Sequence, residues 1–270
     1  MRQLALAKKL LWLTVGSIFI TVFVLSSVLW WQLSNSNQQL AAQSEKLIVA
    51  EVEDKLASNA AAYGEQVAGF INEAYRVPYS FAAILGDHDA ASTLTRDAVV
   101  ELNRSLLKKN TILSSIYSQF EANAFDGRDA NFISGYDHSV AGVGTLEIYF
   151  TRNRDGAIEQ QVVDDAAEKY VDTLNEFGQR EAEWYLCVKD TKVPCIMEPY
   201  LYEITPGYSE MMTSLTVPIL RDNEFIGVAG VDLTLPVFQS MTEKLSKELY
   251  NGKARVTLLS SLDLVVGSSH

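Results

Sequence analysis

Gly227-Val228-Ala229-Gly230-Val231-Asp232-Leu233-Thr234-Leu235 is an apolar run broken by a single carboxylate. Arg221-Asp222-Asn223 supplies a turn just before it, so residues 225–233 read as a strand. An unpaired buried carboxylate is costly, which marks Asp232 as more than core packing. Upstream stand Trp184-Tyr185, Cys187, Cys195 and Glu198-Pro199-Tyr200, which place aromatic and acidic side chains on successive strands of one antiparallel sheet. The stretch 184–235 therefore reads as a ligand pocket, and the two cysteines are placed to staple the loop that leads into it.

The period of two recurs through the middle of the chain. Residues 113–120, 145–151, 157–163, 197–204 and 211–220 also read as strands, separated by turns at Asp126-Gly127, Asp155-Gly156 and Pro206-Gly207. A meander is expected. One helix, about 164–177, is predicted between the third and fourth strands, its carboxy-terminal end delivering Trp184-Tyr185. A further helix, 236–250, ends at Asn251-Gly252. Residues 256–259 and 262–266 form a hairpin with nothing after it to close a sheet, so the chain is expected to be the amino-terminal part of a longer protein.

Ahead of the sheet the pattern is helical. Residues 10–31 carry no charged side chain, and about twenty apolar residues suffice to cross a hydrocarbon core of roughly 30 Å. A buried core helix is the alternative. Arg2, Lys8 and Lys9 precede this run and the next basic residue is Lys46, so the positive-inside rule holds residues 1–9 in the cytoplasm, with Trp30 and Trp31 at the far interface. Val49, Val52, Leu56, Ala60, Tyr63, Val67, Phe70 and Ala74 follow at three- and four-residue spacings, predicting one long helix over 32–86 with Pro78 at a kink or near its end. A second helix is predicted over 96–108, with Asp97 in its first turn and Lys108-Lys109 in its last.

Beyond the apolar run, 19 of the 22 Lys and Arg face all 34 Asp and Glu, a net charge of −15. Such a surface repels a phosphate backbone, so nucleic acid is excluded as a partner. Cys187 and Cys195 bracket a turn-rich stretch, and in an exported domain their spacing favours a disulfide; two free thiols or half a metal site are the alternatives. His88, His138 and His270 are scattered, so no zinc shell is completed, and neither a nucleophile with a paired histidine nor a glycine-rich phosphate loop occurs. No catalytic residue, metal or cofactor is expected. Asn123 to Asp129 has too few oxygen ligands for a calcium loop and reads as a structural turn fixed by an Arg128–carboxylate pair. Asn103-Arg104-Ser105 matches a glycosylation sequon, a sequence common by chance.

These pieces in this order resemble the double Cache sensor region of bacterial transmembrane receptors, above all methyl-accepting chemotaxis proteins. The resemblance covers nearly all residues after 31 and rests chiefly on 123–129, Trp184-Tyr185, Glu198-Pro199-Tyr200, Pro218-Ile219 and 227–235. It implies an α+β fold: a transmembrane helix (10–31), a long stalk helix (32–86), a PAS-like antiparallel sheet forming the membrane-distal module (87–235), a connecting helix (236–252) and the start of a second, truncated module (253–270). It also implies a small ligand held outside the cytoplasm, in the periplasm of an inner-membrane receptor. A homodimer through the long helix is expected, with cytoplasmic signalling partners reached through a further carboxy-terminal part: a methyl-accepting output, a histidine kinase or a cyclic-dinucleotide enzyme.

Amino-acid receptors of this family carry an Arg two residues before the Trp-Tyr pair, a Tyr fifteen residues after it and an Asp on the glycine-rich strand. Trp184-Tyr185, Tyr200 and Asp232 match, so the half of such a site that holds an ammonium is present. The Arg position is Ala182, and Phe177 stands where a Tyr is usual. Arg180, two residues off, is the candidate substitute. Losing the guanidinium removes the natural partner of a carboxylate, which shifts the expected ligand from an amino acid or organic acid towards an amine. Asp172, with Asp164 and Asp165, is expected to hold a second ammonium, and Tyr117 to face the ligand from the preceding strand.

Overall fold

The computed structural model describes residues 2–87, 94–175, 177–205 and 207–269. His88, Pro206 and His270 lie outside them. The chain divides into two units, 1–65 and 66–270. All described residues of the first unit are helical, in an α-helix (α1, Arg2–Gly86) that joins the predicted span and stalk without a break. Its apolar stretch has a mean hydropathy of 2.1 over eighteen residues, none of them buried, so it is long and apolar enough to cross a membrane. Pro78 lies inside α1, eight residues before its end at Gly86, the boundary expected for the long helix.

In the second unit the last turns of α1 and a second helix (α2, Arg96–Lys109) cover one face of a sheet. Thr95 caps α2 by accepting from the Ala98 amide (3.2 Å), and Asp97 and Lys108-Lys109 sit at the ends that the helix dipole favours. Val99, Asn103 and Leu107, four residues apart, are its buried stripe. Asn103 is fully buried and donates to Val99 O and to Ser118 Oγ, so the acceptor of the sequon sits in the core, out of reach of a glycan.

The sheet comprises β1 (Ser115–Phe120), β2 (Glu147–Arg152), β3 (Ile158–Gln161), β4 (Cys195–Ile196), β5 (Tyr200–Thr205), β6 (Tyr208–Arg221) and β7 (Glu224–Thr234), all antiparallel. Its order is β3-β2-β1-β7-β6-β4, with β5 also paired to β6. A simple meander is thereby corrected: the first and last strands are neighbours, Ser115 opposite Asp232 and Gln119 opposite Val228. Alternation sorts the side chains. Ile116, Phe120, Ile148, Phe150, Val231 and Leu233 point into the helix-covered core with Phe81, Leu85 and Val99. Ser115, Tyr117, Gln119, Glu147 and Tyr149 occupy the alternate positions and so share the other face.

The helix predicted over 164–177 is absent among the described residues; only a single 3-10 turn, Glu168–Tyr170, interrupts an irregular segment. Trp184-Tyr185 instead open a short helix (α3, Glu183–Thr191), which sequence periodicity did not register. The turn after β1 is held by Arg96 rather than Arg128. The Arg96 guanidinium donates to Asp126 (2.8 and 3.0 Å), Asp129 (2.6 Å), Ser139 and Gly144 O. Gly144 has φ +82°, and a Cβ there would run into the Asp129 carbonyl, so the loop closes only with glycine.

After β7 comes a helix (α4, Leu235–Glu248), then a turn with Asn251 at φ 57°, then a hairpin of β8 (Thr257–Leu259) and β9 (Val265–Ser268), as expected. Glu198 touches this hairpin, accepting from Ser261 Oγ and from the Leu262 amide.

Candidate functional site

A cavity of about 460 Å³ opens on the face of the sheet away from α1 and α2. Tyr117, Tyr149, Trp184, Tyr200 and Tyr202 form its aromatic walls, and Asp232 and Ser214 lie at one end. Tyr117 is the centre of the box, meeting Trp184 (5.4 Å between rings) and Tyr149 (6.0 Å) edge to face, while Tyr149 meets Tyr202 at 5.7 Å. This depends on Gly230, opposite Tyr117 in the register: a Cβ at 230 would overlap the Tyr117 ring. Among the described residues the buried Tyr117 hydroxyl has no hydrogen-bond partner.

Asp232 is 1% exposed. Its carboxylate accepts from Ser115 Oγ, from Ser214 Oγ (2.6 Å) and, at 3.5 Å, from the Tyr200 hydroxyl. These are neutral donors, and among the described residues no cation meets it. Burial pushes the Asp232 carboxyl up to about 6, with the three hydroxyls pulling the other way. Burial likewise raises the Tyr117, Tyr149 and Tyr200 hydroxyls well above their ordinary range, so all three remain neutral. The site is an aromatic-sided cleft with one buried acid, Asp232, that meets hydroxyls alone.

Of the residues singled out from the sequence, Tyr117, Trp184, Tyr200 and Asp232 meet in this cavity. Tyr185 does not: its fully buried ring packs beside Trp184, Tyr170 and Phe225, and its hydroxyl donates to Glu121 (2.8 Å). It positions Trp184. Arg180 is also outside, bound to Glu183 (2.6 Å) and Asp190 (2.7 Å) beside a smaller cavity of about 60 Å³. Asp172 is exposed and off the cavity, because the helix meant to carry it does not form, whereas Asp164 and Asp165 do line it. Cys187 and Cys195 are joined by a disulfide with Cα atoms 6.4 Å apart, tying α3, and hence Trp184, to β4.

Sequence reasoning missed Tyr149, Tyr202, Gln119, Glu147 and Lys169, which also line the cavity. The signal was available for two of them, since Tyr149 stands opposite Tyr117 and Glu147 opposite Gln119 in an alternating pair of strands. Glu147 and Lys169 form a buried ion pair, Lys169 Nζ lying 2.6 Å from Glu147 Oε1, with Nζ also donating to Phe120 O (2.7 Å). The described residues contain no cluster of metal ligands.

Residues 145–240 match the family described as "Methyl-accepting chemotaxis protein-like, first PDC sensor domain". The chain is 30% identical over 187 residues to the methyl-accepting chemotaxis protein TlpQ of Pseudomonas aeruginosa, covering 68% of this chain and 25% of that one. It thus spans about a quarter of the length of the curated relative it matches. Among solved structures, "Methyl-accepting Chemotaxis protein X" aligns with a TM-score of 0.59 at 23% identity, covering 73% of this chain and 68% of that one. The extracellular domain of the histidine kinase mmHK1S-Z3, described as putative, aligns with a TM-score of 0.58 at 20% identity, over 76% and 65% of the two chains. The resemblance read from the sequence holds: this chain carries a sensor domain of the kind found in chemotaxis receptors, with the α+β fold of a long helix followed by an antiparallel PAS-like sheet.

Proposed function

We propose that this sensor domain binds a small organic amine, a polyamine or biogenic amine, with the ammonium at Asp232 and the carbon skeleton between Tyr117, Tyr149, Trp184 and Tyr200. The observation that carries this reading is a buried carboxylate that meets only hydroxyls inside an aromatic cleft. A carboxylate taken out of water without a cation is costly, and an entering ammonium supplies the missing charge-assisted hydrogen bonds while the ring faces attract it further. An α-amino acid needs a second, cationic partner for its carboxylate. Ala182 is buried and has none to offer, and Arg180 is already committed to two acids.

In this reading the chain is the sensing part of a membrane receptor, its amino terminus cytoplasmic and its sheet periplasmic, dimerising through α1. Residues 253–270 begin a second module. A bound amine biases a two-state equilibrium by its difference in affinity for the two states, and the bias passes to a methyl-accepting output. A histidine-kinase output is the second reading, favoured by the likeness to a kinase sensor domain.

The test is a thermal-shift screen of the full chain in detergent micelles against amines, amino acids and organic acids. A ligand at a hundred times its dissociation constant adds about 2.7 kcal/mol of stability. Amines are expected to raise the midpoint, and Asp232→Ala to abolish the rise. A rise with amino acids or organic acids alone refutes the reading and turns attention to Arg180.

A further inference from the structure

We propose that Lys169 sets how many positive charges the cavity admits at depth, by occupying at Glu147 the place of a second ligand ammonium. This rests on the amine reading of the cavity. Asp232 and Glu147 stand opposite Ser115 and Gln119, two residues on the same face of β1, so the two carboxylates open onto one cavity from levels about four residues, or ~13 Å, apart along the strand. Each is 1% exposed.

Equal in burial, they differ in partners. Asp232 is met by the hydroxyls of Ser115, Ser214 and Tyr200. Glu147 is met by Lys169 Nζ at 2.6 Å and by Thr145 Oγ1 at 2.9 Å. Lys169 is itself 1% exposed, and Phe120 O (2.7 Å) takes a second of its three protons. A lysine side chain is a primary alkylammonium, the same chemical group as the end of an amine ligand. The protein thus carries its own amine at Glu147 and leaves only Asp232 for a ligand.

A diamine entering this cavity buries one ammonium and leaves the other at the exposed acids Asp164, Asp165, Glu168 and Glu181, where solvent screens the attraction. Lys169 also pins the irregular segment between β3 and α3 to the sheet through Phe120 and Glu147. Its removal uncovers a buried carboxylate on the cavity wall, which then requires a cation.

The experiment is calorimetric titration of the full chain in micelles with n-hexylamine and 1,6-diaminohexane. In wild type the two affinities lie within about threefold, because the second ammonium stays solvated. Lys169→Met raises the diamine-to-monoamine affinity ratio at least ~tenfold, and Glu147→Gln, which leaves Lys169 an uncompensated buried cation, weakens both amines at least ~tenfold. The double variant removes both charges and returns the wild-type ratio; a raised ratio there means that space rather than charge governs selection, and overturns the proposal. If Lys169→Met does not fold, Glu147→Gln and the double variant decide. Unchanged affinities in folded variants that still bind amines overturn the role of Lys169 alone, whereas a wild-type chain that binds neither amine sinks the amine reading and this inference with it.

Discussion

The two faces of the sheet are made by the same strands, residue by alternate residue, yet they obey different rules. On the helix side, Ile116, Phe150 and Val231 are buried against other hydrocarbon, and every contact there lowers the free energy of the fold. On the opposite side, Tyr117 and Asp232 are about as deeply enclosed and Tyr149 is half-buried, but they line a cavity. The first face is finished when the chain folds. The second encloses a cavity, and the buried carboxylate that meets only hydroxyls there is a cost the first face has to offset.

The sharpest way to break this comparison is to damage the first face. Phe150→Ala should destabilise by about 3–5 kcal/mol, measured as a loss in thermal midpoint, because a fully buried ring is deleted from a packed core. An equal loss from an alanine at Tyr202, on the cavity side, would erase the distinction.

Asp232→Asn should act in the opposite direction. The carboxyl titrates at about 6 when folded and near 3.9 when unfolded, so its folded value is raised and the neutral form is the one that folding favours. Stability from this group is therefore present at low pH and is lost as pH rises from about 4 to about 6, amounting to roughly 3 kcal/mol above that. The ligand-free Asn variant should melt higher than wild type at pH 7, show no such loss on raising the pH, and bind no amine. A lower midpoint at pH 7 would mean that Asp232 is structural. Gly230→Ala should displace the Tyr117 ring, lowering stability by about 1–3 kcal/mol and weakening amine binding in the same titration. The smallest effect is expected at Arg180→Ala. Its partners lie outside the large cavity, so amine affinity should change by less than about twofold.

Much of the sheet was legible because period-two alternation is written locally, and the turns at Asp155-Gly156 and Arg221-Asp222-Asn223 mark its ends. Asp232 stood out for the same reason, as the one charge in an apolar run. The β1–β7 pairing was not legible, since nothing near residue 115 specifies residue 232. The segment at 164–177 misled because its charges are spaced like a helix surface, whereas Lys169 and Tyr170 spend their side chains on Phe120, Glu147 and Glu121 instead. The nine residues of α3 are too few to show a period. Arg128 lost its expected role to Arg96 because a long-range guanidinium reached both acids of the turn from a neighbouring helix.

The contact between Ser115 and Asp232 joins residues 117 apart in sequence. Closing so long a loop costs entropy before its contacts reward it, so the edge between β1 and β7 is expected to form late in folding. Until then Asp232 sits in water at its ordinary acidity. The enclosed acid of the cavity is therefore created by the same event that completes the sheet, and a half-folded chain carries all the residues that line the cavity but not their enclosure.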